Sequence, residues 1–151
     1  MTFDPNTFLN TTVEGELDTR TIPCPVGEYN AISDKVDVKT WQSKDGSSSG
    51  LKVNILWDIQ DENVKQLVGR DKVLVPQDIM LDLTEEGGLD MGKGKNIGLG
   101  RVREALGMNN PGEPFAIGNM QGRLALVTVS HRPGQNPEDI YHEVKRVAKP
   151  A

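Results

Sequence analysis

The stretch Glu28-Tyr29-Asn30-Ala31-Ile32-Ser33-Asp34-Lys35-Val36-Asp37-Val38-Lys39-Thr40-Trp41, and then Leu51-Lys52-Val53-Asn54-Ile55-Leu56-Trp57-Asp58-Ile59, decides how the chain is read. In the first run Ile32, Val36 and Val38 share one parity, and Tyr29, Ala31, Lys35, Lys39 and Trp41 share the other. In the second run Leu51, Val53, Ile55, Trp57 and Ile59 alternate with Lys52, Asn54 and Asp58. Period-two alternation is the mark of strands with one buried and one wet face. The connector Gln42 to Gly50 is polar and rich in Ser and Gly, as a hairpin loop requires. The pair therefore predicts a long hairpin whose outer face carries lysines and Trp41, with Trp57 in the core.

Outward from the hairpin, the flanking segments supply further strands. Residues 1–23 read as a loosely ordered arm; its acids Asp4, Glu14, Glu16 and Asp18 make it unattractive to phosphate. Lys72 to Leu83 reads as a third strand in which Pro76 marks an edge, a bulge or a break. Asn96 looks like a helix cap, and Ile97, Leu99, Val102, Ala105 and Leu106 form an apolar helical face that Gly107 ends. Phe115-Ala116-Ile117 reads as a short strand and Leu124 to Ser130 as a buried one. Glu138 to Ala148 fits either a helical turn or a last strand. Strand, strand, strand, helix, strand, strand is the order of a five-stranded OB-fold barrel, mainly β, with one short helix between strands three and four. Residues 24–151 would form that domain.

Composition narrows the function. At 151 residues the chain suits one domain with a sizeable core. Sixteen Gly and nine Pro punctuate many short elements. A single cysteine, Cys24, excludes an intramolecular disulfide, and its two flanking prolines place it at an edge or in a loop. No secretory signal and no apolar run of membrane-spanning length is visible, so a cytoplasmic location is expected. The net charge of -5 counts against nucleic acid as a partner. A local basic groove can still act, because charges beyond about 8 Å are screened at physiological salt.

Motifs for catalysis are missing. Gly87 to Lys93 matches the spacing of a phosphate-binding loop, but Gly94 stands where the magnesium-binding hydroxyl belongs. His131 and His142 lack compact metal-ligand spacing, and the acids Asp58, Asp61, Glu62, Asp82, Glu85 and Glu86 read as solubilising loops. No enzyme, cofactor or metal is expected. Sequence-tolerant binding of single strands needs cations along a groove and aromatic faces for stacking. The candidates are Trp41 and Tyr29 for stacking and Lys35, Lys39, Lys44 and Lys52 for phosphates. Lys93 and Lys95 in the glycine loop and Arg123 at the last turn would complete the groove.

The run Val26 to Ile32, the Lys-Trp strand end, the Gly/Ser turn and Leu51 to Ile55 resemble single-OB-fold, single-stranded DNA-binding proteins of tailed bacteriophages. So do Gly98 to Gly107, the turn Met120 to Arg123 and the Val-rich strand after it. The likeness covers about residues 24 to 147. It implies a non-catalytic viral protein that coats single-stranded DNA in replication or recombination, as a homodimer or cooperative homo-oligomer, in the host cytoplasm. One departure concerns the end of the chain. Many such proteins finish in an acidic tail that recruits enzymes, whereas this sequence finishes with Lys145, Arg146 and Lys149. The competing class is an OB-like virion or replisome assembly module that never touches nucleic acid.

Overall fold

A computed structural model describes residues 4–150. Its centre is the hairpin of β1 (Gly27–Gln42) and β2 (Ser49–Ile59). A helical turn α1 (Pro5–Leu9) precedes it. After it come α2 (Glu62–Val68), β3 (Leu74–Met80), α3 (Ile97–Ala105), a 3₁₀ turn (Ile117–Met120), β4 (Leu124–Pro133) and β5 (Ile140–Ala148). The five strands form one antiparallel sheet in the order β3-β2-β1-β4-β5. The sheet is open: β3 and β5 approach each other but no ladder joins them.

The alternation in β2 is borne out. Val53, Ile55, Trp57 and Ile59 are fully buried, and the residues between them face outward. They pack with Val75 and Ile79 of β3, Val127 and Val129 of β4, and Leu99 and Val102 of α3. Trp57 is core, as expected, and its indole N–H donates to Gln77 Oε1 at 2.9 Å. A buried indole donor needs such a partner.

Several elements differ from the sequence expectation. Phe115–Ile117 is not a strand; the chain there runs into the 3₁₀ turn, and Phe115 lies under the Arg103 guanidinium, 3.8 Å from the ring centroid. The last segment resolves as a strand, so the count of five stands with different members. The acidic turn after β2 is a helix, α2: Asp61 caps it by accepting from the Val64 N–H at 3.1 Å, and left-handed Gly69 ends it. Cys24 lies in a loop as expected, but its own side chain is fully buried in the core while Ile22 and Val26 on either side stay exposed. Its backbone N–H donates to His142 Nδ1 at 2.9 Å, and burial with the nearby Asp61 charge pushes its thiol up to about 11.

β1 contains the feature that corrects the face assignment. Its register against β2 slips between Ser33 and Lys35, a β-bulge. Before the slip Tyr29, Ala31 and Ser33 point into the core; after it Val36 does. An extra residue reverses the parity of everything beyond it. Tyr29 and Lys35, which simple alternation puts on one face, therefore lie on opposite faces.

Candidate nucleic-acid interface

The bulge turns Lys35, Asp37, Lys39 and Trp41 to the outer face, where their direct partners on β2 are Leu56, Asn54, Lys52 and Gly50. Across β2, Lys52 and Asn54 face Met80 and Asp78 of β3. Directly paired residues of antiparallel strands share a face. Lys35, Lys39, Lys52 and Trp41 are thus brought together on one surface of three strands.

The charges of that surface are partly matched within it. Lys39 and Lys52 are cross-strand neighbours of like sign, which destabilises a pair unless an anion intervenes. Asp78 intervenes: its carboxylate takes Lys52 Nζ at 3.0 Å and Asn54 Nδ2 at 2.8 Å. Partial burial raises the Asp78 carboxyl, but the Asn54 and Lys52 hydrogen bonds and the Lys52 and Lys39 charges outweigh it, leaving it below its ordinary value. Lys35 sits 3.4 Å from Asp37. Among the described residues Lys39 and Lys44 have no ion-pair partner.

Trp41 is half-buried, with its indole edge laid on Gly50, and its Nε1 is enclosed without a hydrogen-bond acceptor among the described residues. Lys44 lies in the β1–β2 loop, which Asp45 organises by accepting from the Ser43 and Ser47 hydroxyls, both at 2.7 Å. Those two hydroxyls, with the Ser47 backbone N–H, hold the Asp45 carboxyl down at about 2. The loop is therefore a shaped turn that presents Lys44 to solvent beside a permanent anion.

Lys93 and Lys95 project from the 84–96 loop that follows β3 beyond Met80, next to Lys52 in register. Asn96 is the N-cap residue of α3 as expected, its carbonyl accepting from the Gly100 N–H at 3.0 Å, but its side chain closes that loop instead of capping the helix. It stands at the N-cap position with left-handed backbone, and its side chain accepts from Asp82 N at 2.8 Å and donates to Asp82 O and Asp90 O. Arg123 is exposed on a turn bound to the bulge. Buried Ser33 donates its hydroxyl to Met120 O at 2.6 Å and accepts from Arg123 N at 2.9 Å, while Gln121 Oε1 meets the Val36 N–H at 3.4 Å. Tyr29 is the member that leaves the set: it packs on the core, and its hydroxyl donates to Pro25 O at 2.9 Å. Burial raises its phenol.

Sequence reasoning missed Gly50, Asn54 and Asp78. Their parity with Lys52 marks the first two. Asp78 needed the β2–β3 register, which Pro76 obscured.

Among the described residues no group of three or more His, Cys, Asp or Glu side chains is placed to hold a metal ion. None of the described helices is long and apolar enough to cross a membrane. No family model matches the chain, and no curated protein matches it.

Proposed function

We propose that this chain is a non-enzymatic single-stranded DNA-binding protein of phage type, coating DNA without sequence specificity during replication or recombination. The fold reading within this proposal is an OB barrel. In support, β1 is shared between a β1-β2-β3 meander and β4, α3 lies between β3 and β4, and the sheet edges β3 and β5 approach each other. OB domains bind oligonucleotides on the face of strands two and three and with the loop between strands one and two.

The observation that carries the functional reading is the outer face of this hairpin. Trp41, seated on Gly50, shares it with Lys35, Lys39 and Lys52, and Lys44 lies on the loop beside it. Stacking on such a ring contributes about 1–3 kcal/mol per base, and the lysines supply the salt-dependent part. Tyr29 has no part in it.

A second reading has an observation of its own. Lys35 and Lys52 are already ion-paired with Asp37 and Asp78, as suits an assembly module that meets protein rather than phosphate. Titrating tryptophan emission with poly-dT separates the two. Quenching that is reversed by about 0.5 M salt supports DNA binding; unchanged emission at low salt sinks it and leaves the assembly module.

A further inference from the structure

A second charged surface lies away from the hairpin. Between α3 and the end of β5 the molecule opens into a cleft of about 670 Å³, bordered on the other side by Gln77 of β3. Arg101, Lys145, Arg146 and Lys149 line it against one carboxylate, Glu104. Among the described residues none of the four cations has an ion-pair partner. Val102, Ala105 and Val147 give it apolar walls. In a chain of net charge -5, an uncompensated basic cluster repels itself and attracts an anionic occupant. No aromatic ring lines it, so it offers nothing for a base to stack on. It does offer backbone, because β3 and β5 each have a strand on one side only.

The N-terminal arm has the complementary pattern. From Val13 to Asp18 the sequence alternates strictly, with Val13, Gly15 and Leu17 on one parity and Glu14, Glu16 and Asp18 on the other. Such a segment, extended, has an apolar face and an acidic face. Val13 and Leu17 are 70% and 79% exposed, so this chain's own body does not cover that apolar face.

In this structure the arm lies outside the cleft of its own chain, none of Val13–Asp18 lining it, and its tether keeps the Asp18 end out of reach. Cys24 is held between His142 and His131, and from there the arm runs back to Arg20, which ion-pairs with Glu138 at the opposite end of β5. Asp18 is two residues from Arg20, a span of at most about 7 Å. Lys145 is six strand positions beyond Asp139, about 20 Å.

We propose that Val13–Asp18 of one copy lies as an added strand in the α3–β5 cleft of a second copy. Glu14, Glu16 and Asp18 would meet the four cations, and Val13 and Leu17 the apolar walls. Strand addition of this kind takes affinity from the backbone and specificity from alternate side chains. Reciprocal exchange uses both arms and both clefts and closes a dimer. The inference is independent of what the hairpin face binds.

Sedimentation velocity of the full chain tests it, with circular dichroism to check that each variant is folded. The parent is expected to form a dimer of about twice 16.6 kDa, with its Kd weakened at least about tenfold by raising salt into the range where surface charges are screened. The arm variant Glu14→Lys/Glu16→Lys and the cleft variant Lys145→Glu/Arg146→Glu should each be monomeric. Mixing the two should restore the dimer, because both junctions are then complementary again. A parent that is monomeric throughout overturns the proposal, as do variants that dimerise like the parent or a mixture that stays monomeric. A monomeric parent that still captures a labelled Asp4–Thr19 peptide assigns the cleft to a foreign acidic strand, and that too overturns the second-copy proposal.

Discussion

Trp41 and Gly50 fit together as ring and seat: a Cβ added at Gly50 would stand 2.9 Å from the indole nitrogen and 3.2 Å from the adjacent ring carbon. Any larger residue at position 50 must push the ring outward or aside. Gly50→Val should therefore shift tryptophan emission and weaken poly-dT binding about tenfold, while the melting temperature changes little. Trp41→Ala should lose about 1–3 kcal/mol of binding, read by anisotropy with a labelled oligonucleotide that does not depend on the missing fluorophore. Parent-like affinity in both variants would remove Trp41 from the site.

Asp78 is the anion that a nucleic-acid phosphate would have to displace or tolerate. Asp78→Asn keeps the hydrogen-bonding shape beside Asn54 and leaves Lys39 and Lys52 unopposed. Affinity for single strands should rise, and the slope of log K against log salt should steepen by about one unit. In an assembly module the same change should loosen the partner instead. Titration at several salt concentrations distinguishes the two.

Ser33 is the buried polar residue through which β1 holds the 120–123 turn. In Ser33→Ala the Met120 carbonyl and the Arg123 N–H lose their hydroxyl partner. Urea denaturation should register a loss of about 1–3 kcal/mol, the cost of leaving buried groups unsatisfied. A variant as stable as the parent would mean that the turn is held by its backbone bonds alone.

His142 gives stability a pH dependence of definite sign. Burial lowers its pKa below the ordinary 6.5, helped by the His131 and Arg70 charges, and its Nδ1 must be unprotonated to accept from Cys24 N–H. A folded value below the unfolded one means that the folded state binds fewer protons between the two. Its contribution is complete above 6.5 and is lost as the pH falls through the lowered folded value. Thermal melts should drop across that window, and His142→Gln, which retains an acceptor that does not titrate, should flatten the dependence. An unchanged profile in the variant would assign the effect to other groups.

How far the sequence could be read depended on where local pattern and tertiary context agreed. β2 was legible because Val53, Ile55, Trp57 and Ile59 keep one parity and all four are buried, with Leu56 the one apolar residue between them on the outer face. The first half of β1 was not, because Ser33 carries no local sign that its hydroxyl is wanted by a turn 87 residues away, and that demand goes with the bulge. Tyr29 was misplaced for this reason alone. The segment around Phe115 looks β-like in isolation, but the ring is used beneath Arg103. α2 was hidden by its acids, although Asp61 and Gly69 are ordinary start and stop residues. The lysines of the outer face were legible as a set; their carboxylate partner on β3 was not, since it comes from another strand.

β1 pairs with β4 only as far as Ile32, whereas its pairing with β2 continues to Gln42. From Asp37 onward, among the described residues, one side of its backbone has no hydrogen-bonded neighbour. Such a border invites strands from other molecules, and charged side chains deter them. Asp37 and Lys39 stand along it. Lys39, proposed to meet phosphate, would then also protect the free protein from stacking edge to edge, and neutralising it should cost solubility as well as affinity.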